Sequence, residues 1–130
     1  MISTQPYVVM SSDPLVQTFV GNPARVYPHG RAPDRPTYPY VTFRTGSGTP
    51  ENTLSERPLV DQNRVQVDCW SKNDGTGGAQ IGPLAKAVRD AMEQHYSMLS
   101  YMESDGPDSK TGSYRVTMDF LVWNHRDQST

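Results

Sequence analysis

The segment YRVTMDFLVW, residues 114–123, alternates apolar and polar side chains, as is typical of a half-buried β-strand. The residues between the first apolar ones are Arg115, Thr117 and Asp119, which are predicted to point to the opposite side of the strand. Since successive side chains of a strand point to opposite sides of a sheet, every second residue is predicted to enter the core. These inward residues are Tyr114, Val116, Met118, Phe120 and Val122.

A second segment, RVQVDCW at residues 64–70, shows the same alternation. Its predicted core residues are Val65, Val67 and Cys69, and the residues between them are predicted to face outward. Three weaker segments also favour strands. They are ARVYP at 24–28, YPYVTFRT at 38–45 and SMLSYME at 97–103.

The main predicted helix is AQIGPLAKAVRDAMEQHY, residues 79–96. Apolar side chains recur there at helical spacing, which predicts one buried stripe. Arg89 and Glu93 are four residues apart, a spacing that allows an ion pair worth a few tenths of a kcal/mol. The residues of the stripe are Ile81, Leu84, Ala85, Val88 and Met92.

The N-terminal segment at 6–23, PYVVMSSDPLVQTFVGNP, predicts two short helical pieces. Ser12 or Asp13 can cap the second piece, with Pro14 in its first position. Gly21 and Pro23 are typical of a helix end. Four residues are expected to share one face that packs in the core or in a small docking contact, namely Leu15, Val16, Phe19 and Val20.

Together the elements predict an α+β fold in one domain spanning residues 1–130. We expect a mainly antiparallel sheet of about four or five strands, packed against one main helix and a short N-terminal helix. Residues 46–61 have no sustained period and are predicted to form a long loop, which in a compact domain is usually functional or disordered. Residues 124–130 are predicted to be a frayed C-terminal tail.

The composition limits the classes of protein to consider. With 130 residues the chain can build one core, and a net charge of −2 with a pI near 5.8 argues against a sequence-independent nucleic-acid binder. The single cysteine cannot form an intramolecular disulfide. The sequence has no apolar run long enough to cross a bilayer and no signal-peptide pattern at its start. We therefore expect a soluble protein of a reducing cytoplasm that does not contact membranes.

Two groups of residues are candidates for catalysis. Cys69 is a candidate nucleophile if a base lowers its pKa, but the three histidines, His29, His95 and His125, stand in no hydrolase motif. Because Cys69 follows the parity of Val65 and Val67, a buried structural thiol is the favoured interpretation. The carboxylates of Asp68 and Asp119 are interpreted as solvated charges on the polar sides of their strands, rather than as an acid/base pair.

Binding of a metal or phosphate is not favoured either. The acidic turn SDGPDSKTGS, residues 104–113, does not have the ligand positions of a calcium loop. The glycines of NDGTGGAQIG, residues 73–82, do not have the spacing or the lysine of a phosphate-binding loop. The histidines do not have metal-ligand spacing. We therefore predict no metal, no cofactor and no catalytic residue.

Tryptophan is an unexpected residue on a side of the sheet that should be solvated. Trp70 and Trp123 both lie on the predicted polar sides of their strands, and Leu121 shares a side with Trp123. Tryptophan is enriched at binding hot spots, so Trp70, Leu121 and Trp123 are predicted to form a subunit interface. Cover by the N-terminal helix within one chain is the open alternative.

Four segments in this order resemble the tail-completion, or tail-terminator, family of long-tailed double-stranded DNA phages, which includes minor tail and head–tail joining proteins. They are YPYVTF, RVQVDCW, LAKAVRDAM and TGSYRVTMDFLVW. The opening DPLVQTFVGNPARVYP, residues 13–28, also looks like the N-terminal helix and first strand of the family. The chain departs from the pattern in the proline-rich HGRAPDRPT and in the length of GSGTPENTLSERPLVD.

The resemblance implies a non-enzymatic virion protein that forms a ring, commonly of six copies. Such a ring caps the tail tube, terminates tail growth and joins the tail to the DNA-filled head. The implied partners are further copies, the tail-tube protein and a head-side neck or connector protein, with DNA passing through the lumen. We expect the protein in the virion tail or neck, and in the host cytoplasm during assembly.

The long loop is the predicted assembly or lumen-lining segment in that ring. Its candidate residues are Glu51, Leu54, Glu56 and Arg57. Three alternatives remain open from the sequence. They are another neck component such as a head-completion adaptor, a small cytosolic enzyme that uses Cys69, and a generic binding module for a small ligand.

Overall fold

The computed structural model describes residues 5–34, 36–46, 49–50, 60–72, 81–94, 97–107 and 112–125. Its helices are α1 (Gln5–Ser11), α2 (Pro14–Val20) and α3 (Ile81–Glu93). Its strands are β1 (Val26–Tyr27), β2 (Tyr40–Thr45), β3 (Thr49–Pro50), β4 (Val60–Lys72), β5 (Ser97–Asp105) and β6 (Ser113–His125). The predicted α+β class is confirmed.

The strands form one sheet in the order β1-β2-β4-β6-β5, and β3 also pairs with β4. The pair β1–β2 is parallel and the other pairs are antiparallel. β4 and β6 pair along their full lengths, from Val60 opposite His125 to Lys72 opposite Ser113. The two segments with the strongest alternation therefore form the centre of the sheet.

One face of the sheet, here called the core face, packs against all three helices. Residues directly opposite each other share a face, so the register places Val41, Cys69 and Val116 side by side. Val65, Val67, Met118 and Phe120 are fully buried on the same face, in one cluster with residues of α1, α2 and α3. The predicted inward parity of both central strands is confirmed.

The second helix forms as its sequence predicts. The carboxylate of Asp13 accepts hydrogen bonds from the amides of Leu15 and Val16 at 2.9 and 3.2 Å, and Pro14 begins the helix. Gly21 ends it with φ +81° and donates to the carbonyl of Gln17 at 2.8 Å. Val16 is fully buried, but Leu15 is 64% exposed and does not belong to the core. Adjacent residues of a helix point about 100° apart, so Leu15 and Val16 face different directions. Val16 and Val20 are the residues of this helix that point into the core.

The third helix buries more of its surface than one stripe. Ala87 and Ala91 are buried in addition to the predicted residues, because α1 and α2 also pack on α3 beside the sheet. Arg89 and Glu93 do not pair with each other. The guanidinium of Arg89 instead lies 3.5 Å from the Asp90 carboxylate, and Glu93 accepts a hydrogen bond from the Leu99 amide at 3.3 Å.

The ends of the predicted loop and tail are more regular than expected. Within 46–61, β3 occupies Thr49–Pro50 and pairs with Gln62 and Asp61 of β4, which itself begins at Val60. The candidates Glu51, Leu54, Glu56 and Arg57 lie outside the described residues. β6 continues to His125, two residues into the predicted tail. No helix among the described residues is long and apolar enough to span a membrane.

Candidate subunit interface

The face of the sheet that points away from the helices, here called the second face, is crossed by a row of large side chains. The register places Tyr40 opposite Trp70, Trp70 opposite Arg115, and Arg115 opposite Asp105. These four residues lie on β2, β4, β6 and β5. One row therefore runs across the four strands from an aromatic side chain to a carboxylate, and we call it the Trp70 row.

In the Trp70 row, side chains from both neighbouring strands contact the indole of Trp70. The ring of Tyr40 stacks on Trp70 with centroids 5.8 Å apart and an interplanar angle of 11°, and Arg115 Cζ lies 5.5 Å from the Trp70 centroid. Arg115 also pairs with Asp105 at 3.3 Å, and Trp70 Nε1 donates to Thr42 Oγ1 at 3.1 Å. Trp70 is thus half-covered by neighbours in the sheet, and the described residues of the N-terminal helices pack on the core face rather than over Trp70.

The row ends in a group of tyrosines at the β1–β2 side. The rings of Tyr27 and Tyr38 lie 6.1 and 5.1 Å from that of Tyr40, which is 7% exposed. Burial, reinforced by the neighbouring Tyr38, raises the pKa of Tyr40 well above its ordinary value. Tyr40 and Thr42 alternate with Val41 and Phe43 of the core face, so they lie on the second face. The sequence contains no sign of this cluster beyond the closeness of Tyr38 and Tyr40 in the chain.

Asp68 is buried, in contrast to its interpretation as a solvated charge. Asp68 is only 9% exposed and lies on the second face, in the row next to the Trp70 row. Thr117, directly opposite on β6, donates to Asp68 Oδ1 at 2.7 Å, and Gln66 donates to Oδ2 at 3.3 Å. Asp119 lies opposite Gln66 rather than opposite Asp68. The carboxylate of Asp68 is therefore engaged in a structural network that links β4 to β6.

Cys69 lies fully buried on the core face. Burial raises the pKa of its thiol well above the ordinary value, and the Asp68 carboxylate adds to the increase. Reactive cysteines have the opposite property, a lowered pKa with access to solvent. His29 is exposed in the turn at 28–30, and no group of three metal-binding side chains exists among the described residues. The interpretation of Cys69 as a structural residue fits this geometry.

We predict that stability falls in mildly alkaline solution because of Cys69. A folded-state pKa above the unfolded value of about 8.5 means that stability is complete below that pH. Above it, the free energy of unfolding should fall by about 1.4 kcal/mol per pH unit, because the unfolded chain releases a proton that the folded chain retains. Urea denaturation of the wild type and Cys69→Ala between pH 7 and 10 measures this slope. Equal slopes in the two proteins would contradict the prediction, as would rapid alkylation of the native thiol.

Trp70, Leu121 and Trp123 do not form one patch. Leu121 is half-buried and lies opposite Arg64, while Trp123 lies opposite Gln62. Arg115, the partner of Trp70, precedes Leu121 by six residues on β6, which is about 20 Å along a strand. The second face therefore has two separate apolar ends. The side chain of Trp123 lies outside the described residues.

A shallow cavity of about 210 Å³ opens beside Trp70 and Arg115. Its other lining residues are Asp105, Gly106, Pro107 and Ser113. The volume is below the roughly 300 Å³ at which ligand pockets usually begin. The cavity does not favour a small-molecule site.

The edge strand β5 exposes more apolar surface than its sequence suggested. Met98, Tyr101 and Met102 are 49, 50 and 44% exposed, on a strand that the sequence indicated only weakly. A second exposed group lies on the N-terminal helices, at Tyr7, Val8 and Leu15. Clusters of exposed apolar side chains are typical of surfaces that contact other proteins.

The sequence model of one protein family, described as tail completion protein gp17, matches residues 7–125. The match covers both central strands, all of α2 and α3, and both faces of the sheet described above. A comparison with curated proteins finds no match. The resemblance noted in the sequence is thereby confirmed at the level of the family.

Proposed function

The chain belongs to the family of tail completion protein gp17 and is a structural component of a phage tail, and we propose that it forms a ring at the end of the tail tube. The ring caps the last layer of the tube, stops its growth and presents a surface to the neck of the DNA-filled head. Its partners are further copies, the tail-tube protein and a head-side neck or connector protein. The family match over residues 7–125 is the observation that carries this proposal.

The second face, which no described helix covers, supports assembly as the work of the chain. The described helices pack on the core face, so the sheet offers one side and its edges to neighbours. A ring needs heterologous contacts, in which two different patches of each subunit meet. The net charge of −2 suits a channel through which DNA passes, since tight phosphate binding requires Lys and Arg.

The predicted interface residues have different roles in this proposal. The Trp70 row fixes the shape of one end of the second face, while Leu121 and Trp123 contribute a contact at the other end. The loop residues Glu51, Leu54, Glu56 and Arg57 line the lumen or order against the tube on assembly. A loop that orders on assembly pays an entropic cost that the new contacts must offset.

Deletion of the gene is the direct test. We expect infected cells without the protein to accumulate filled heads and separate tails, some of them overlong, because nothing terminates the tube or offers a joining surface. Electron microscopy of lysates measures the joined fraction and the tail lengths. Supplying the wild-type gene from a plasmid is the control and should restore joining. Normal-length tails joined to heads in the deletion strain would contradict the proposal.

Location separates a tail cap from a head-side adaptor. A labelled copy should mark the free end of an isolated tail. A label at the vertex of tailless heads would instead identify a head-completion adaptor.

A further inference from the structure

Building on the proposed ring, we propose that neighbouring copies meet through opposite edges of the sheet. The β5 edge of one copy contacts the β1–β2 edge of the next. The occupant of each edge is thus a second copy of this chain.

The β5 edge is apolar and acidic. Met98, Tyr101 and Met102 provide its exposed apolar surface, and Glu103 and Asp105 are exposed carboxylates on the same strand. Asp105 pairs with Arg115, whereas Glu103 accepts a hydrogen bond from the Tyr101 hydroxyl and has no cationic partner among the described residues. The edge is thus left with negative charge to neutralise.

The β5 edge is also protected from simple extension of the sheet. A bulge interrupts the register between Leu99 and Tyr101, and Ser100 within it donates to the carbonyl of Asp119 at 3.1 Å. Bulges and charged side chains on an edge hinder continuous pairing with another strand. The contact proposed is therefore made by side chains rather than by a continued hydrogen-bond ladder.

The β1–β2 edge has the complementary character. β1 has two residues and is followed at once by Pro28, and the segment after it exposes Arg31 and Pro33. Arg44 of β2 is exposed, and its guanidinium packs on the 28–30 turn, where a Cβ added to Gly30 would lie 2.8 Å from Nη2. Neither arginine has a carboxylate partner among the described residues. The segment after β1 also carries the exposed Asp34, which is one carboxylate against these two arginines.

The charges decide which edges meet. Pairing β5 with β5 of another copy would bring Glu103 close to like charges, and pairing the β1–β2 edges would do the same with Arg44. Like charges across an interface cost several kcal/mol, whereas opposite charges favour contact. The opposite-edge contact is heterologous, so it leaves one free edge of each kind and can continue around a ring until it closes. The exposed Pro28 and Pro33 on one edge can also pack against the apolar side chains of Tyr101 and the methionines on the other edge.

A charge swap tests the contact in the assembled particle. Phages that lack the gene are complemented with Glu103→Arg, Arg44→Glu or both together. We expect each single variant to lower the titre and the fraction of tails joined to heads by about tenfold or more, because it creates a like-charge contact. The double variant should restore both toward wild type. Lys86→Glu, on the exposed side of α3, is the matched control and should behave as wild type.

Two results would overturn the inference. They are single variants that complement fully, and a double variant that fails like the singles although it folds with a wild-type circular dichroism spectrum. A cross-link provides a second measurement, because Glu103→Cys and Arg44→Cys in one chain should be joined by a short bis-maleimide into multimers in isolated tails. The buried Cys69 will not react. If deletion blocks joining but the swap and the cross-link both fail, the ring proposal stands and the edge assignment is wrong.

Discussion

Phe120→Ala is expected to lower the free energy of unfolding by about 3–5 kcal/mol, the usual cost of removing a large buried aromatic side chain. Phe120 is the largest fully buried side chain among the described residues. The register places Val65 and Leu99 on either side of it. The substitution leaves a cavity between the sheet and the helices. Since domains are typically stable by about 5–15 kcal/mol, the substitution should remove a large part of the stability. Urea denaturation of the purified chain measures the loss.

The neighbouring residue supplies the control for Phe120. Leu121 lies on the second face and is half-buried, so Leu121→Ala should cost about 1 kcal/mol, near the average for point substitutions. If Phe120→Ala does not fold, Phe120→Leu should still show a loss of up to about 1.5 kcal/mol. Equal costs for Phe120→Ala and Leu121→Ala would contradict the assignment of the two faces.

The sequence predicted the features that depend on local periodicity. The alternation at 114–123 and 64–70 identified β6 and β4, because a strand with one buried face must place an apolar side chain at every second residue. The cap at Asp13 and the end at Gly21 were also predictable, since backbone groups there find partners within a few residues.

The sequence did not predict features that depend on cross-strand neighbours. Tyr40, Thr42 and Asp68 have polar groups and outward parity, yet all three are buried. Their cover comes from Trp70, Thr117 and other residues that are adjacent only in this register. A period of two along one strand contains no information about which residue stands opposite.

The same reason explains why the sequence predicts a single interface for Trp70 and Trp123. Each breaks a polar side, but their separation on the sheet depends on the antiparallel register of β4 and β6. That register places Trp70 opposite Arg115, at the other end of β6 from Trp123. The acidic and basic edges were likewise hidden, because they require the strand order β1-β2-β4-β6-β5.

Trp70→Ala is expected to lower the free energy of unfolding by about 2–4 kcal/mol, although it lies on the face away from the main core. It removes the stack on Tyr40, the contact of Arg115 with the indole and the donor to Thr42. The buried hydroxyl of Thr42 then loses its partner, which adds to the cost of the missing packing. Urea denaturation at pH 7 measures the total.

Trp70→Phe separates the parts of this effect. It keeps an aromatic ring beside Tyr40 but loses the Nε1 donor, so we expect a loss of about 1 kcal/mol from the hydrogen bond. A double-mutant cycle with Thr42→Val isolates that bond. The loss of stability in the double variant should be smaller than the sum of the two single losses by about 1 kcal/mol. Additive losses would mean that the bond to Thr42 contributes nothing.

Comparing the stability of Trp70→Phe with its ability to join tails to heads shows whether Trp70 supports the fold or contacts another subunit. If Trp70 acts through the fold, Trp70→Phe should complement the deletion phage nearly as well as wild type, because the strand geometry and the β5 edge are kept. If the indole itself contacts another subunit, Trp70→Phe should fold almost normally yet fail to join tails to heads. The half-buried indole, held between Tyr40 and Arg115, leads us to expect complementation. Failure of a folded Trp70→Phe would instead place Trp70 within a contact between proteins.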